Sequence, residues 1–381
     1  MRIGIFVTGI SSRQPHPDCV SGHLQIPLMA VKILAAAGHD VTLVTTKMSD
    51  EAFLPYGVAD VAAVCTVQHA SAWPQRIHFG LAARQVGQLW SFLRKRRFDV
   101  IHFFGGMGTG LLLCTLMSMG VHSAAFFSPM KPPPGPGYPL RRYLTRWAFT
   151  RVRGMLTTAE HVGSAWASLL GRQNVAVLRP GVMKQCAVTQ STAKDSVLFW
   201  RTADYDNGVD EAIEVFRTLA PRYPSIRFVF AVRATDRHKS QRLYRQELLR
   251  LGGEGRNIEV YLHPYRDGIS LEGLLGRACL VVQPFRRLSI NPQMSILESL
   301  YAGVPVIATA IESNPEVVLH EQTGLLVPPG DRNALLSAID RLLKDAKLLA
   351  SLARNARPMT EGRWNWDSFG PQLLEAYASL C

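Results

Sequence analysis

The segment from Gln283 to Asp331, QPFRRLSINPQMSILESLYAGVPVIATAIESNPEVVLHEQTGLLVPPGD, constrains the fold more than any other part of the chain. Cys279 to Pro284 is a short apolar run, the pattern of a buried strand. After a loop, the spacing predicts a short helix from about Met294 to Ala302, stopped by the turn Gly303-Val304-Pro305. Strand-like Val306–Thr309 and Gly324–Val327 follow. Ser295 or Asn291 is placed to cap this helix, which leaves its first backbone N–H groups and positive dipole end to meet an anion. Glu298 lies one turn inside, among apolar neighbours. Phosphates at the helix start and ribose hydroxyls on the carboxylate make this arrangement suitable for a nucleotide.

The rest of the chain repeats the same alternation, as an open parallel sheet requires. In the first half, strands are predicted at Arg2–Thr8, Asp40–Thr46, Asp99–Phe104, Ser123–Phe127, Met155–Thr158 and Val175–Leu178. The helices expected there are Leu24–Ala37, Phe79–Arg97 and Leu140–Arg153. Residues 183–195 (MKQCAVTQSTAKD) are polar and unpatterned and read as a linker. Beyond them come strands Ser196–Trp200, Ile226–Val232 and Ile258–Leu262, with helices Gly208–Ala220, Asn333–Ala346 and Trp366–Leu380. A chain of 381 residues accommodates two domains of ordinary size.

The runs LESLYAGVPVIAT and NPEVV…TGLLVPPGD, at this spacing, resemble the donor-binding half of the retaining glycosyltransferase family 4. The resemblance implies an α/β chain of the GT-B fold, with two facing Rossmann-like domains of parallel sheets and a cleft between them. It places an acceptor-side domain at 1–183, a linker at 184–195 and a nucleotide-sugar donor domain at 196–362. Residues 363–381 form a helix returning to the first domain. The implied activity is transfer of a sugar from a nucleotide-sugar donor to a hydroxyl of a lipid-linked or polysaccharide acceptor, with retention and without metal or cofactor.

Residue by residue, the resemblance carries over in part. LFWRTADYDNGVDEAIEVF resembles the family's strand-Gly-Arg-loop-Lys-Gly-helix motif, whose arginine and lysine grip the donor diphosphate. Arg201 matches the arginine; Trp200 stands for the glycine and Asn207 for the lysine. Glu298 matches the second, ribose-holding glutamate of the Glu-x7-Glu pair, while Ile290 replaces the first, sugar-contacting one. Sugar contacts then fall to the loop Ser289–Met294, through Asn291, Gln293 and Ser295. In the first half, Gly22 and His23 lie at the first strand-to-helix loop, and Ser128 stands where many members have an active-site histidine. The expected site therefore comprises Arg201 and Glu298 as catalytic residues, with Gly22, His23, Ser128, Asn291, Gln293 and Ser295 binding substrate. The replacements at Ile290, Asn207 and Ser128 leave a second reading open, a catalytically silent relative that binds nucleotide or partners an active transferase.

Other motifs take duller readings. Asp204-Tyr205-Asp206 matches a metal–nucleotide signature of a different fold but sits in a turn before a helix, so no metal is expected. Gly105–Gly110 lacks both the P-loop ending and the dinucleotide spacing and reads as a cleft loop. His102, on a strand, reads as a packed histidine. Arg94–Arg97 closes a helix as a solvated basic end. Cys19, Cys65, Cys114, Cys186, Cys279 and Cys381 have no metal or disulfide spacing, which points to a reducing cytosol. The opening MRIGIFVTGI reads as a strand rather than a signal peptide, and no apolar run reaches the roughly 18 residues of a membrane span.

Charge is uneven. Residues 1–186 carry 19 Lys and Arg against 7 Asp and Glu, whereas the remaining 195 residues carry 23 against 22. Nearly all of the net +13 belongs to the first half. Without a zinc finger or RNP-type strand, nucleic acid is not an expected partner. An anionic membrane surface is, with the basic aromatic segment Tyr138–Arg153 as its contact and the inner membrane face as its place.

Overall fold

The structure, a computed structural model, describes residues 1–7, 22–46, 66–70, 90–105, 116, 120, 124–128, 131–132, 139–150, 152–171, 175–182, 194–233, 239–254, 257–265 and 268–379. The chain divides into two compact units, Met1–Pro180 with Asn365–Cys381, and Gly181–Trp364.

The first unit holds a sheet of seven strands: β1 (Arg2–Val7), β2 (Asp40–Thr46), β3 (Thr66–Ala70), β4 (Val100–Phe104), β5 (Ala124–Phe127), β6 (Gly154–Thr157) and β7 (Val175–Val177). Every pair is parallel, in the order β3-β2-β1-β4-β5-β6-β7. Its helices are α1 (Gly22–Ala36), α2 (Pro139–Phe149) and α3 (Glu160–Leu170), and residues 90–96 are also helical. Alternating strand residues feed two cores. Ile3, Ile5, Val7 and Phe104 pack against Val31 and Leu34 of α1, while Phe6, Phe103 and Phe126 pack against Phe149 and Trp166. Because both faces are covered, the strands are nearly continuously apolar, as parallel sheets require.

The second unit repeats the plan with β8 (Ser196–Thr202), α4 (Val209–Leu219), β9 (Arg227–Arg233), α5 (Lys239–Gly252), β10 (Ile258–Leu262), α6 (Leu271–Arg277) and β11 (Ala278–Gln283). It continues through α7 (Met294–Tyr301), β12 (Val306–Thr309), α8 (Asn314–Val317), β13 (Gly324–Val327), α9 (Arg332–Lys344) and α10 (Ala346–Glu361). The sheet order is β10-β9-β8-β11-β12-β13, all parallel. Asp331 and Asp345 cap α9 and α10, accepting from the backbone N–H of Ala334 and Leu348 at 2.9 Å each. The last helix, α11 (Trp366–Ala378), belongs to the first unit. Asn365 caps it through the Ser368 N–H at 2.7 Å, and Phe369, Leu373 and Tyr377 enter the core beside α1.

Several elements differ from expectation. β3, α3, α5, α6, α8 and α10 are additional. The basic helix expected to Arg153 stops at Phe149, because the Val152 N–H turns back to the Phe149 carbonyl and β6 begins at Gly154. Residues 79–89 of the helix expected at Phe79–Arg97, the loop Gly106–Gly110 and residues 183–193 lie outside the described residues.

Candidate active site

In both sheets the strand order reverses beside the first strand of the unit, and open parallel sheets bind ligands in the crevice outside the strand ends there. In the second unit this point lies between β8 and β11, and the segments leaving it are residues 203–208 and 284–293. Arg201 sits at the end of β8, one residue before the strand finishes. It is largely buried. Its Nη2 donates to Gln293 Oε1 at 2.8 Å, and its guanidinium lies 5.8 Å from the centre of the Phe285 ring. Arg201 Nε and Gln293 Nε2 are both buried with no hydrogen-bond partner. Two unmatched donors side by side, one of them cationic, make a site that calls for an acceptor.

A polar chain through Gln283 fixes this corner. Gln283 Nε2 donates to the Trp200 carbonyl at 3.2 Å, and its Oε1 accepts from the Ser295 hydroxyl at 3.2 Å. Trp200 Nε1 donates to Ser299 Oγ at 3.0 Å. Strand β8, strand β11 and helix α7 are thereby joined at one level.

The capping expected of Asn291 or Ser295 is not present. The residue preceding α7 is Gln293, and no side chain caps the helix. Ser295 is buried, with its hydroxyl turned to Gln283. Asn291 is buried as well. Its amide donates to Glu312 Oε2 at 2.9 Å, and its Oδ1 accepts from the Ser313 N–H at 3.2 Å and the Ser313 hydroxyl at 2.7 Å. Buried polar groups take the partners within reach, and here those come from β11 and from Glu312 and Ser313 just before α8 rather than the helix start. The α7 N-terminus, lacking a cap and any acidic residue in its first turn, keeps its positive dipole end uncompensated by side chains.

Glu298 lies one turn into α7 and is half-buried. Burial lowers the pKa of Arg201, the charge of Glu298 opposes that, Arg233 adds to the lowering and Asp204 opposes it. Arginine remains protonated throughout. Arg201 thus has Gln293 in contact and the charge of Glu298 near it, while Asn291 and Ser295 are buried and bonded elsewhere.

The two loops are locked to each other, which sequence reasoning missed. Asn207, at the position expected for lysine, is buried; its Nδ2 donates to the Thr202 carbonyl at 2.9 Å and its N–H to Asp204 Oδ1 at 3.0 Å. Gly208 follows at φ 71°, and a Cβ there would meet the Pro284 carbonyl oxygen at 2.0 Å. Only glycine lets the backbones approach so closely in this conformation. Arg286 closes the contact. Its guanidinium meets Asp210 at 2.6 and 2.8 Å and Glu211 at 2.5 Å, donates to the Tyr205 carbonyl at 2.9 Å and stacks 4.0 Å from the Tyr205 ring centre. The Arg286 and Arg287 N–H groups both reach the Asp206 carbonyl. The signal available in the sequence was a pair of arginines inside the most constrained loop.

The remaining expected residues belong to the first unit. Gly22 and His23 open α1. Ser128 follows β5, buried, with its N–H bonded to the Leu156 carbonyl at 3.0 Å. His102 is packed within the core, as expected. Its Nδ1 is hydrogen-bonded to the Tyr377 hydroxyl, and burial lowers its pKa to about 3. Among the described residues no group of three or more His, Cys, Asp or Glu is placed to hold a metal ion.

Two units with wholly parallel sheets, in the orders 3-2-1-4-5-6-7 and 3-2-1-4-5-6 counted within each unit, have the GT-B fold of glycosyltransferases. The chain belongs to glycosyltransferase family 4: the model of that family matches residues 28–184, and the model of glycosyl transferases group 1 matches residues 188–359. An exopolysaccharide phosphotransferase of Streptomyces coelicolor is 34% identical over 153 residues, 40% of this chain and 15% of the relative. The α-D-kanosaminyltransferase of Streptomyces kanamyceticus is 25% identical over 175 residues, 46% of this chain and 43% of the relative. The matches therefore span less than half the length of either protein. The crystal structure of HepE from Anabaena, in complex with UDP, shares the fold with a TM-score of 0.77 over 100% of both chains, at 16% identity.

Proposed function

We propose that this protein transfers a sugar from a nucleotide-sugar donor to a hydroxyl of a lipid-linked or polysaccharide acceptor, with retention of configuration. The observation that carries the reading is the Arg201–Gln293 pair at the end of β8, with its unmatched buried donors, one helical turn from Glu298. Arg201 and the N-terminus of α7 receive the donor diphosphate, and Glu298 accepts hydrogen bonds from the ribose. In the transfer the bond from the anomeric carbon to the diphosphate oxygen breaks and a bond to the acceptor oxygen forms on the same face. The acceptor proton passes to the departing phosphate, so no protein nucleophile is required. Arg201 stabilises the negative charge that grows on the leaving group in a partly dry site, where a fixed cation acts strongly. The sugar-transferring relative supports this reading, and so does the UDP complex of a protein of the same fold.

The acceptor reading rests on the +12 balance of residues 1–186 and on α2, where Tyr143 and Trp147 are exposed at 65% and 51% beside exposed Arg142 and Arg146. A cationic face bearing aromatic side chains suits an anionic membrane surface. No helix among the described residues is long and apolar enough to cross a membrane, so contact at the surface is the form proposed.

Thermal unfolding with UDP, GDP, ADP and CMP tests the donor site, with Glu298→Ala as control. A nucleotide at a hundred times its Kd stabilises the unit that binds it by about 2.7 kcal/mol. The expected result is a shift with one nucleotide that Glu298→Ala removes, and donor hydrolysis that Arg201→Ala abolishes. Nucleotide binding without any turnover would replace the transferase by a silent relative.

A further inference from the structure

We infer that Arg233 is the second cation of the donor site and holds the diphosphate together with Arg201, in the role for which residue 207 offers no lysine. The proposal rests on the donor-site reading above. The diphosphate bridge of a nucleotide sugar is a dianion, and Arg201 supplies one positive charge. Asn207 cannot supply the other: it is neutral and buried, and its amide is spent on the Thr202 carbonyl. Arg286 is consumed by Asp210 and Glu211. Another cation must come from an element adjoining β8.

Strand β9 is that element. Its last residue is Arg233, paired in register with Thr202, while Val232 pairs with Arg201. The Arg233 carbonyl accepts from the Ala203 N–H at 2.8 Å, so its backbone is tied to the start of the loop that follows Arg201. With parallel strands about 4.8 Å apart, the two arginine Cα atoms are roughly 6 Å from one another. The charges sense each other, since Arg233 disfavours protonation of Arg201. By strand alternation Arg233 shares the face of Val229 and Ala231 and Arg201 that of Val197 and Phe199, so the two side chains leave opposite faces of the sheet and meet an anion only beyond the strand ends. Its side chain is exposed, and no hydrogen bond or ion pair holds its guanidinium among the described residues. The Arg201 guanidinium donates to the neutral Gln293 amide and keeps Nε unmatched.

Two guanidinium groups on neighbouring strand ends repel one another, and a bound anion between them turns that repulsion into attraction. Their location outside the carboxyl ends of β8 and β9, beside the switch point and the uncapped α7, is where a phosphate is expected. Each guanidinium can offer two parallel N–H groups to phosphate oxygens, a geometry that lysine lacks.

The test is calorimetric titration of the intact protein with a nucleoside, its monophosphate, its diphosphate and inorganic pyrophosphate, using the base selected by the thermal screen. Arg233→Gln is expected to weaken the diphosphate and pyrophosphate ten- to a hundredfold and leave the nucleoside within twofold. Arg233→Lys should restore part of the loss. Arg354→Gln, an exposed arginine on α10 of the same unit, should change nothing. Unfolding of each variant without ligand should match the parent. If the diphosphate binds with dependence on Glu298 and Arg233→Gln matches the parent, Arg233 has no such role and the donor site stands. Equal weakening of nucleoside and diphosphate also overturns the proposal. If pyrophosphate binds through Arg233 but no nucleotide does, the two-arginine anion site stands and the nucleotide reading falls. If the parent binds neither, both fall.

Discussion

Arg286→Ala should destabilise the second unit strongly at neutral pH and weakly at mildly acid pH. Arg286 is 16% exposed and faces Asp210, 26% exposed, and Glu211, only 2% exposed. Glu211 is already held above its ordinary pKa by burial, and Arg286 is the largest influence opposing that shift. Removing the guanidinium leaves a carboxylate in the core, which costs roughly 3–5 kcal/mol if the charge must remain. Protonation limits the penalty. Starting from the ordinary value of 4.5, neutralising Glu211 at pH 7 costs at most about 3.4 kcal/mol, and at pH 5 about 0.7 kcal/mol. Loss of the half-exposed Asp210 pair adds about 0.2–1 kcal/mol at either pH. The variant should therefore lose about 3–4 kcal/mol at pH 7 and about 1–2 kcal/mol at pH 5. The sign follows from the raised folded-state pKa. The protonated carboxyl is accommodated below the unfolded value, and the penalty grows as pH rises towards the folded value. Urea unfolding followed by tryptophan fluorescence at both pH values measures it, with Arg286→Ala/Glu211→Gln as companion. An equal loss at both pH values, or no relief from Glu211→Gln, would refute the buried-charge argument.

Gly208→Ala should cost about 2–5 kcal/mol, from about 1–2 for a left-handed alanine and about 1–3 for pressing on the Pro284 carbonyl. Gly303→Ala, at φ 72° with nothing within 4 Å of its Cβ, should cost only the first part; equal thermal shifts for the two variants would show that the close approach carries no energy. Tyr377→Phe strands the buried His102 ring and should cost the first unit about 1–3 kcal/mol. Because His102 titrates at about 3, well below its ordinary 6.5, both proteins should lose stability as pH falls through 6.5, with an unchanged gap between them from pH 5 to 8; a gap that closes by pH 5 would contradict the neutral buried ring. In vesicle flotation, recovery of the protein should require anionic lipid and fall in Tyr143→Ala/Trp147→Ala, and equal recovery with and without anionic lipid would remove the membrane contact.

Patterns of short range are legible in the sequence alone. Apolar runs of four to seven residues gave the strands, because a strand covered on both faces cannot tolerate polar side chains. Gly303-Val304-Pro305 gave the helix stop and Arg201 and Glu298 the candidate site, since turn chemistry and a strand-end charge depend on neighbours a few residues away. Tertiary packing decided everything that depends on partners far along the chain. Asn291 and Ser295 carry the side chains of helix caps, yet burial against Ser313, Glu312 and Gln283 gave them other partners. Arg286 finds Asp210 across 76 residues, and Tyr377 finds His102 across 275. Arg233 ends its strand one residue from the register partner of Arg201 only because β9 runs parallel to β8 in one particular register. A side chain's local preference is small compared with the cost of burying an unmatched polar group, so the crossover connections of the sheet, rather than the sequence around each residue, selected these partners.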